Sequence, residues 1–168
     1  MPTLKTDNVL DTPTDLDAKG CEQVTESLNR LVADAFALYI KTKNYHWHMS
    51  GRHFRDYHLL LDEQASQILA TIDPLAERVR KIGGTTLRSV AHIAQLQRVK
   101  DNDDDFVAPK AMLTDLVAEN KKMAANMRAA HKIADDADDV ATASLLEVYI
   151  DETERRTWFL FETTRELN

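Results

Sequence analysis

Apolar residues recur at helical spacing over most of the chain. From about residue 18, Val24, Leu28, Leu31, Val32, Ala35, Leu38 and Tyr39 keep a three-to-four-residue rhythm, which predicts a first helix running to about His48. Ser50-Gly51 interrupts the pattern. It resumes near Phe54 and passes through Leu61, Ala65, Ile68, Ile72, Leu75 and Val79 until Gly83-Gly84 stops it. Pro74 lies within this second segment, where it either opens a new helix capped by Asp73 or sits inside one kinked helix. The apolar spacing stays in phase across it, which favours the single kinked helix.

Pro109 opens a third long helix, with Met112, Leu116, Val117, Met123, Met127 and Ala130 on one face and an end near Asp135. The acidic turn 135–139 leads into a fourth, from about 139 to 165, carrying Leu145, Leu146, Tyr149, Ile150, Trp158 and Phe161. Between the second and third, Ser89 is placed to cap a short helix near 90–98, and the acidic run 101–105 reads as loop. The connection from the second helix to the third is long enough to cross the length of a bundle. These features predict an all-α protein, a ferritin-like four-helix bundle with a short extra helix in the long connection. The bundle is expected over residues 18–168. Residues 1–17 read as a flexible arm with one Lys against Asp7, Asp11, Asp15 and Asp17.

Composition adds limits. At 168 residues the chain fits one domain with a real core, and its four glycines punctuate long uninterrupted segments. A formal net charge of −7 favours cations and disfavours non-specific contact with nucleic acid. The single cysteine, Cys21, cannot form an intramolecular disulfide and fits a reducing cytoplasm. The N-terminal stretch lacks the apolar region of a secretory signal, and no run has the length of a membrane span. The expectation is a cytoplasmic, acidic, helical protein.

Histidine is the unusual element. Four of the six, His46, His48, His53 and His58, fall between residues 46 and 58. On the second helix His58 and Asp62 are one turn apart on one face, and Asp73 and Glu77 repeat that spacing. At about 100° per residue all four project within an arc of roughly 100°. The centres of the two pairs are about 22 Å apart along the axis, so one chain cannot join them in a single site. Two copies related by a twofold axis, with their second helices antiparallel, would set His58 and Asp62 of one against Asp73 and Glu77 of the other. His46 is the natural additional imidazole, because the short turn after the first helix returns the chain close to it.

Imidazole and carboxylate without thiolate suits Fe(II), Mn(II) or Zn(II). The Glu-x-x-His pair of the intrachain di-iron bundle is absent. Spacing alone leaves two readings open, a metal site or a solvated polar face in which Asp73 caps a helix and Glu77 pairs with Arg80 or Lys81. His48 and His53 read as polar loop residues, His92 and His131 as structural or exposed, and Trp47 and Trp158 as packing residues.

The stretches KNYHWHMSGRHFRDYHLLLDE, IDPLAERVRKIGG and ERRTWFLFE together resemble the Dps family of mini-ferritins over residues 20 to 165. The resemblance implies a hollow homo-oligomer of twelve subunits built from twofold dimers. It would bind Fe(II) at the dimer interface, oxidise it preferentially with hydrogen peroxide, and store Fe(III) as mineral inside, acting as a ferroxidase that protects DNA from oxidative damage. Carried over by position, the implied ligands are His46, His58, Asp62, Asp73 and Glu77, with Trp47 beside the site as a residue that influences electron transfer. Three departures stand out. Ser144 replaces the Asp that lines an iron-entry pore in the family, the arm is acidic where DNA-binding members carry lysines, and His48 follows the Trp, where it would be an auxiliary ligand or a proton relay. DNA binding is therefore not expected. Two other functions remain to be separated from iron oxidation, a DNA-compacting structural protein and a shell holding structural Zn(II).

Overall fold

The computed structural model describes residues 9–166. The first eight residues of the arm and the last two of the chain lie outside the described residues. Five helices and no strand are found among those described: α1 Ala18–His48, α2 Phe54–Lys81, α3 Val90–Leu96, α4 Pro109–Asp136 and α5 Val140–Thr164.

Each boundary has a local cause. The Asp17 carboxylate accepts from the Gly20 amide at 3.1 Å to cap α1, Ser89 does the same for His92 at 3.1 Å on α3, and Asp139 for Thr142 at 3.0 Å on α5. Pro109 occupies the first turn of α4, where no backbone donor is needed. At the C-terminal end of α2, Gly83 takes φ +86° while the Gly83 and Gly84 amides donate to the Arg80 and Val79 carbonyls at 3.2 and 3.0 Å, the pair of hydrogen bonds that closes a helix through a left-handed residue. α2 continues unbroken through Pro74, so Asp73 lies within a helix and caps nothing.

α1 packs along α2, and α4 along α5, as the short turns at 49–53 and 137–139 require. Leu28, Leu31, Leu38, Leu61, Leu75, Leu116 and Leu146 form the fully buried spine between the two pairs. α5 departs from the sequence reading. Trp158 and Phe161 were expected to pack but are 60% and 50% exposed, and the inward positions belong to Thr153, Arg156 and Leu160. Residues 153, 156 and 160 follow the helical period; a pattern that weighs hydrophobicity alone selects the aromatic residues instead.

The long connection is strapped to the bundle by side chains that bond its backbone. Asp34, 1% exposed, accepts from the Arg98 amide at 2.6 Å and from the Arg98 guanidinium at 3.0 and 2.6 Å. Lys41 donates to the Lys100 carbonyl at 2.7 Å, Glu119 accepts from the Lys100 amide at 3.2 Å, and Asn44 donates to the Asn102 carbonyl at 3.1 Å. A loop crossing a bundle carries polar backbone groups that need partners, and α1 and α4 supply them from charged side chains and the Asn44 amide. Among the described residues no helix is long and apolar enough to cross a membrane.

Candidate metal centre

The turn 49–53 folds the start of α2 back on the end of α1, and this places His46 against His58. Their rings stack with centroids 3.7 Å apart and 20° between planes. His46 Nδ1 lies 2.7 Å from the His58 carbonyl oxygen, and His58 Nδ1 lies 2.9 Å from the His46 carbonyl oxygen. A carbonyl only accepts, so each Nδ1 carries the proton and donates. In the neutral form of each ring this leaves the lone pair on Nε2, the tautomer in which imidazole binds a metal. Phe54 lies alongside the pair, its ring centroid 4.9 Å from that of His58.

One turn along α2 from His58, Asp62 brings its carboxylate near His46. Its Oδ1 is 3.8 Å from His46 Nε2, a gap that an ion about 2.1 Å from each donor spans. The Lys43 ammonium, a turn before His46 on α1, sits 2.8 Å from that oxygen. Its hydrogen bond, and then its charge, hold the Asp62 carboxyl below the usual carboxylate range; burial opposes this weakly, and the two histidines add smaller lowering effects. The carboxylate is half exposed, so the ion pair is solvated.

Asp73 and Glu77 lie farther along α2 at exposed positions, and among the described residues neither forms an ion pair. Arg80, the sequence-level partner for Glu77, turns instead to the carbonyls of Gly84 and Leu10. Because α2 is unbroken, about 22 Å of helix separates this pair from His58 and Asp62. Among the described residues of one chain, no three His, Cys, Asp or Glu converge to hold a metal ion.

The other singled-out residues are accounted for. Trp47 is 59% exposed, contrary to a packing role, because position 47 faces away from the buried side occupied by Tyr45 and His46. The Lys43 ammonium lies 5.8 Å from its ring centroid. His48 turns back on its own helix, its Nδ1 2.8 Å from both the carbonyl and the side-chain oxygen of Asn44. His53 precedes α2, its ring 5.5 Å from that of Tyr57. His131 meets Glu147 at 3.0 Å across α4 and α5. Ser144 is exposed on α5, one turn beyond the acidic turn.

Sequence reasoning missed Lys43. Its signal was available, since three residues before His46 puts it on the same side of α1.

The comparisons agree on one family. A family model for the ferritin-like domain matches residues 25–168. The curated "DNA protection during starvation protein 1" of Deinococcus radiodurans is 32% identical over 86% of this chain and 70% of its own length. Among solved structures, Dps from Thermosynechococcus elongatus superposes with a TM-score of 0.86 at 31% identity, covering 89% of this chain and 95% of that one. DpsC from Streptomyces coelicolor reaches 0.89 at 28% identity, covering 94% and 92%.

Proposed function

This chain belongs to the Dps family of ferritin-like proteins, and on that premise we propose that it oxidises Fe(II), stores the Fe(III) product and thereby protects DNA from oxidative damage. The observation that carries the reading is the His46–His58 pair, each ring held through Nδ1, with the Asp62 carboxylate 3.8 Å from His46 Nε2. Such a donor set, two imidazoles and a carboxylate with open positions, suits ferrous iron.

In this reading the site is shared. His46, His58 and Asp62 of one copy face Asp73 and Glu77 of another across a twofold axis, and the same operation makes a second, equivalent site. What supports it is the unbroken α2, which keeps the two acidic groups too far apart to meet within one chain. Twelve such subunits enclose a cavity in which Fe(III) collects as mineral, favoured by the acidic surface of a chain whose net charge is −7.

Hydrogen peroxide is the oxidant that fits two adjacent ferrous ions. Each Fe(II) gives one electron, the O–O bond breaks, and two protons are taken up, so that two Fe(II) and one peroxide give two Fe(III) and two waters. Delivering both electrons together avoids the single-electron step that releases hydroxyl radical. The chain's own contribution is to hold the imidazoles in the ligating tautomer and to keep Asp62 ionised. Trp47, next to His46 in the chain and with its ring exposed, is on this reading the side chain that passes or absorbs an electron.

DNA protection on this reading comes from removing iron and peroxide. With an acidic arm and a net charge of −7, coating of DNA is not favoured, and a gel shift at moderate salt is expected to show no complex. The central test is peroxide-dependent Fe(II) oxidation by a His58→Ala/Asp62→Ala variant that still assembles. Its rate should fall to that of free iron, and an unchanged rate would overturn the assignment.

A further inference from the structure

The oxygen of Asp62 nearest to His46 is already occupied. Asp62 Oδ1 is 3.8 Å from His46 Nε2 and only 2.8 Å from Lys43 Nζ, so a cation binding between the first two atoms must share that oxygen with an ammonium or displace it. The lysine is not a freely waving surface residue: its side chain is 16% exposed against 53% for Asp62, and its ammonium also lies 5.8 Å from the Trp47 ring centroid. The position is built, and it places a positive charge at the mouth of a candidate cation site.

We propose that Lys43 is a resident counter-cation of the metal centre, which holds Asp62 in ligating position while the site is empty and is expelled from Asp62 Oδ1 when a divalent ion binds. The inference rests on the metal-site reading given above. Its consequence is a threshold. A tethered single charge competes at high effective concentration with monovalent ions from solution, which gain no more from Asp62 than the ammonium does. A divalent ion gains about twice as much from the same carboxylate and can take the position. The centre would thus stay closed to sodium and potassium and open to Fe(II), at the cost of weaker divalent affinity than the bare ligands would give. Lys43 acts through Asp62 and is a positioning residue, not a ligand.

The test uses the full-length assembled protein and Co(II) without any oxidant, so that binding is read from calorimetry and the visible Co(II) spectrum and not from turnover. Lys43→Met should bind Co(II) about tenfold more tightly than the parent, and added potassium chloride should weaken its binding more than it weakens that of the parent. Lys43→Arg, which keeps the charge and the bond, should bind like the parent. If Lys43→Met fails to assemble, Lys43→Gln is read in its place with the same expectation. Equal or weaker Co(II) binding by the uncharged variant overturns the proposal, weaker binding showing that Lys43 only orients Asp62. His58→Ala/Asp62→Ala separates this failure from failure of the site itself: if that variant still binds Co(II) like the parent, the ligand assignment is wrong; if it does not bind while Lys43→Met matches the parent, only the role of Lys43 is wrong.

Discussion

His46 and His58 hold each other through their backbones, each imidazole donating from Nδ1 to the other's carbonyl oxygen at 2.7 and 2.9 Å. The arrangement orients both rings through backbone carbonyls, with no carboxylate needed. It also separates two roles of the His58 ring, packing and ligation. His58→Phe keeps a flat ring stacked on His46 and removes both nitrogens. It should assemble at normal size and lose about 1 kcal/mol of stability for the missing hydrogen bond, yet oxidise Fe(II) at least about tenfold more slowly. Stopped-flow oxidation beside a size measurement checks it, and parental kinetics would show that His58 only packs.

Asp34 anchors the long connection. It is buried on α1 and receives three hydrogen bonds from Arg98, with Asn126 a weaker fourth at 3.4 Å. Asp34→Ala leaves the Arg98 backbone amide and guanidinium without their acceptor. The expected loss is about 3 kcal/mol, seen as a lower unfolding midpoint at fixed protein concentration. A change below about 1 kcal/mol would mean that the strap contributes little.

Arg156 is the reverse case, a charge in the core that no carboxylate receives. It is 2% exposed, donates to Asn120 at 3.1 Å and to Thr153 at 2.7 Å, and one of its nitrogens has no partner. Burial pushes its pKa down to about 10, with the charge of Glu152 opposing. An apolar replacement of Arg156 and its acceptor together, Arg156→Met/Asn120→Leu, should be neutral or stabilising by about 1–4 kcal/mol. Denaturant unfolding gives the answer, and a large loss would assign Arg156 a specific structural task.

Cys21 should be a slow thiol. Burial first, and then the carboxylates of Asp139 and Asp17, hold its pKa above the ordinary thiol value, with Arg78 opposing. Only the thiolate reacts, so the pH at which alkylation reaches half its maximal rate should lie above that of free cysteine. A half-point at or below the free thiol's would contradict the electrostatic environment described for the α1 N-terminus.

The helices were legible because apolar period, caps and stops agree. Asp17, Ser89, Pro109 and Gly83 each occupy the position their chemistry predicts, and the five helices begin and end within about two residues of the sequence expectation. The nearness of His46 to His58 was legible too, from a turn too short to do anything but reverse the chain. What the sequence hid are charges that point inward. Asp34, Lys41, Glu119 and Arg156 sit in helical stretches where a charged residue ordinarily means solvent, and only the path of residues 97–102 and the packing of α4 on α5 bury them. The Lys43–Asp62 pair was hidden for a related reason, since the partner lies on another helix. Trp47 and Trp158 misled in the opposite direction, because large aromatic residues suggest a core even when the helical phase turns them outward.

The sharing of one metal site by two copies is tested most directly by complementation. His58→Ala/Asp62→Ala and Asp73→Ala/Glu77→Ala each destroy every site when assembled alone. Dissociated, mixed in equal amounts and reassembled, half of the dimers are hybrids, and in each hybrid one site regains all of its ligands while the other loses all four replaced groups. Peroxide-dependent Fe(II) oxidation should therefore return to about a quarter of the parental rate. A mixture no faster than its two inactive parents, once exchange of subunits has been verified, would show that the site does not lie between copies.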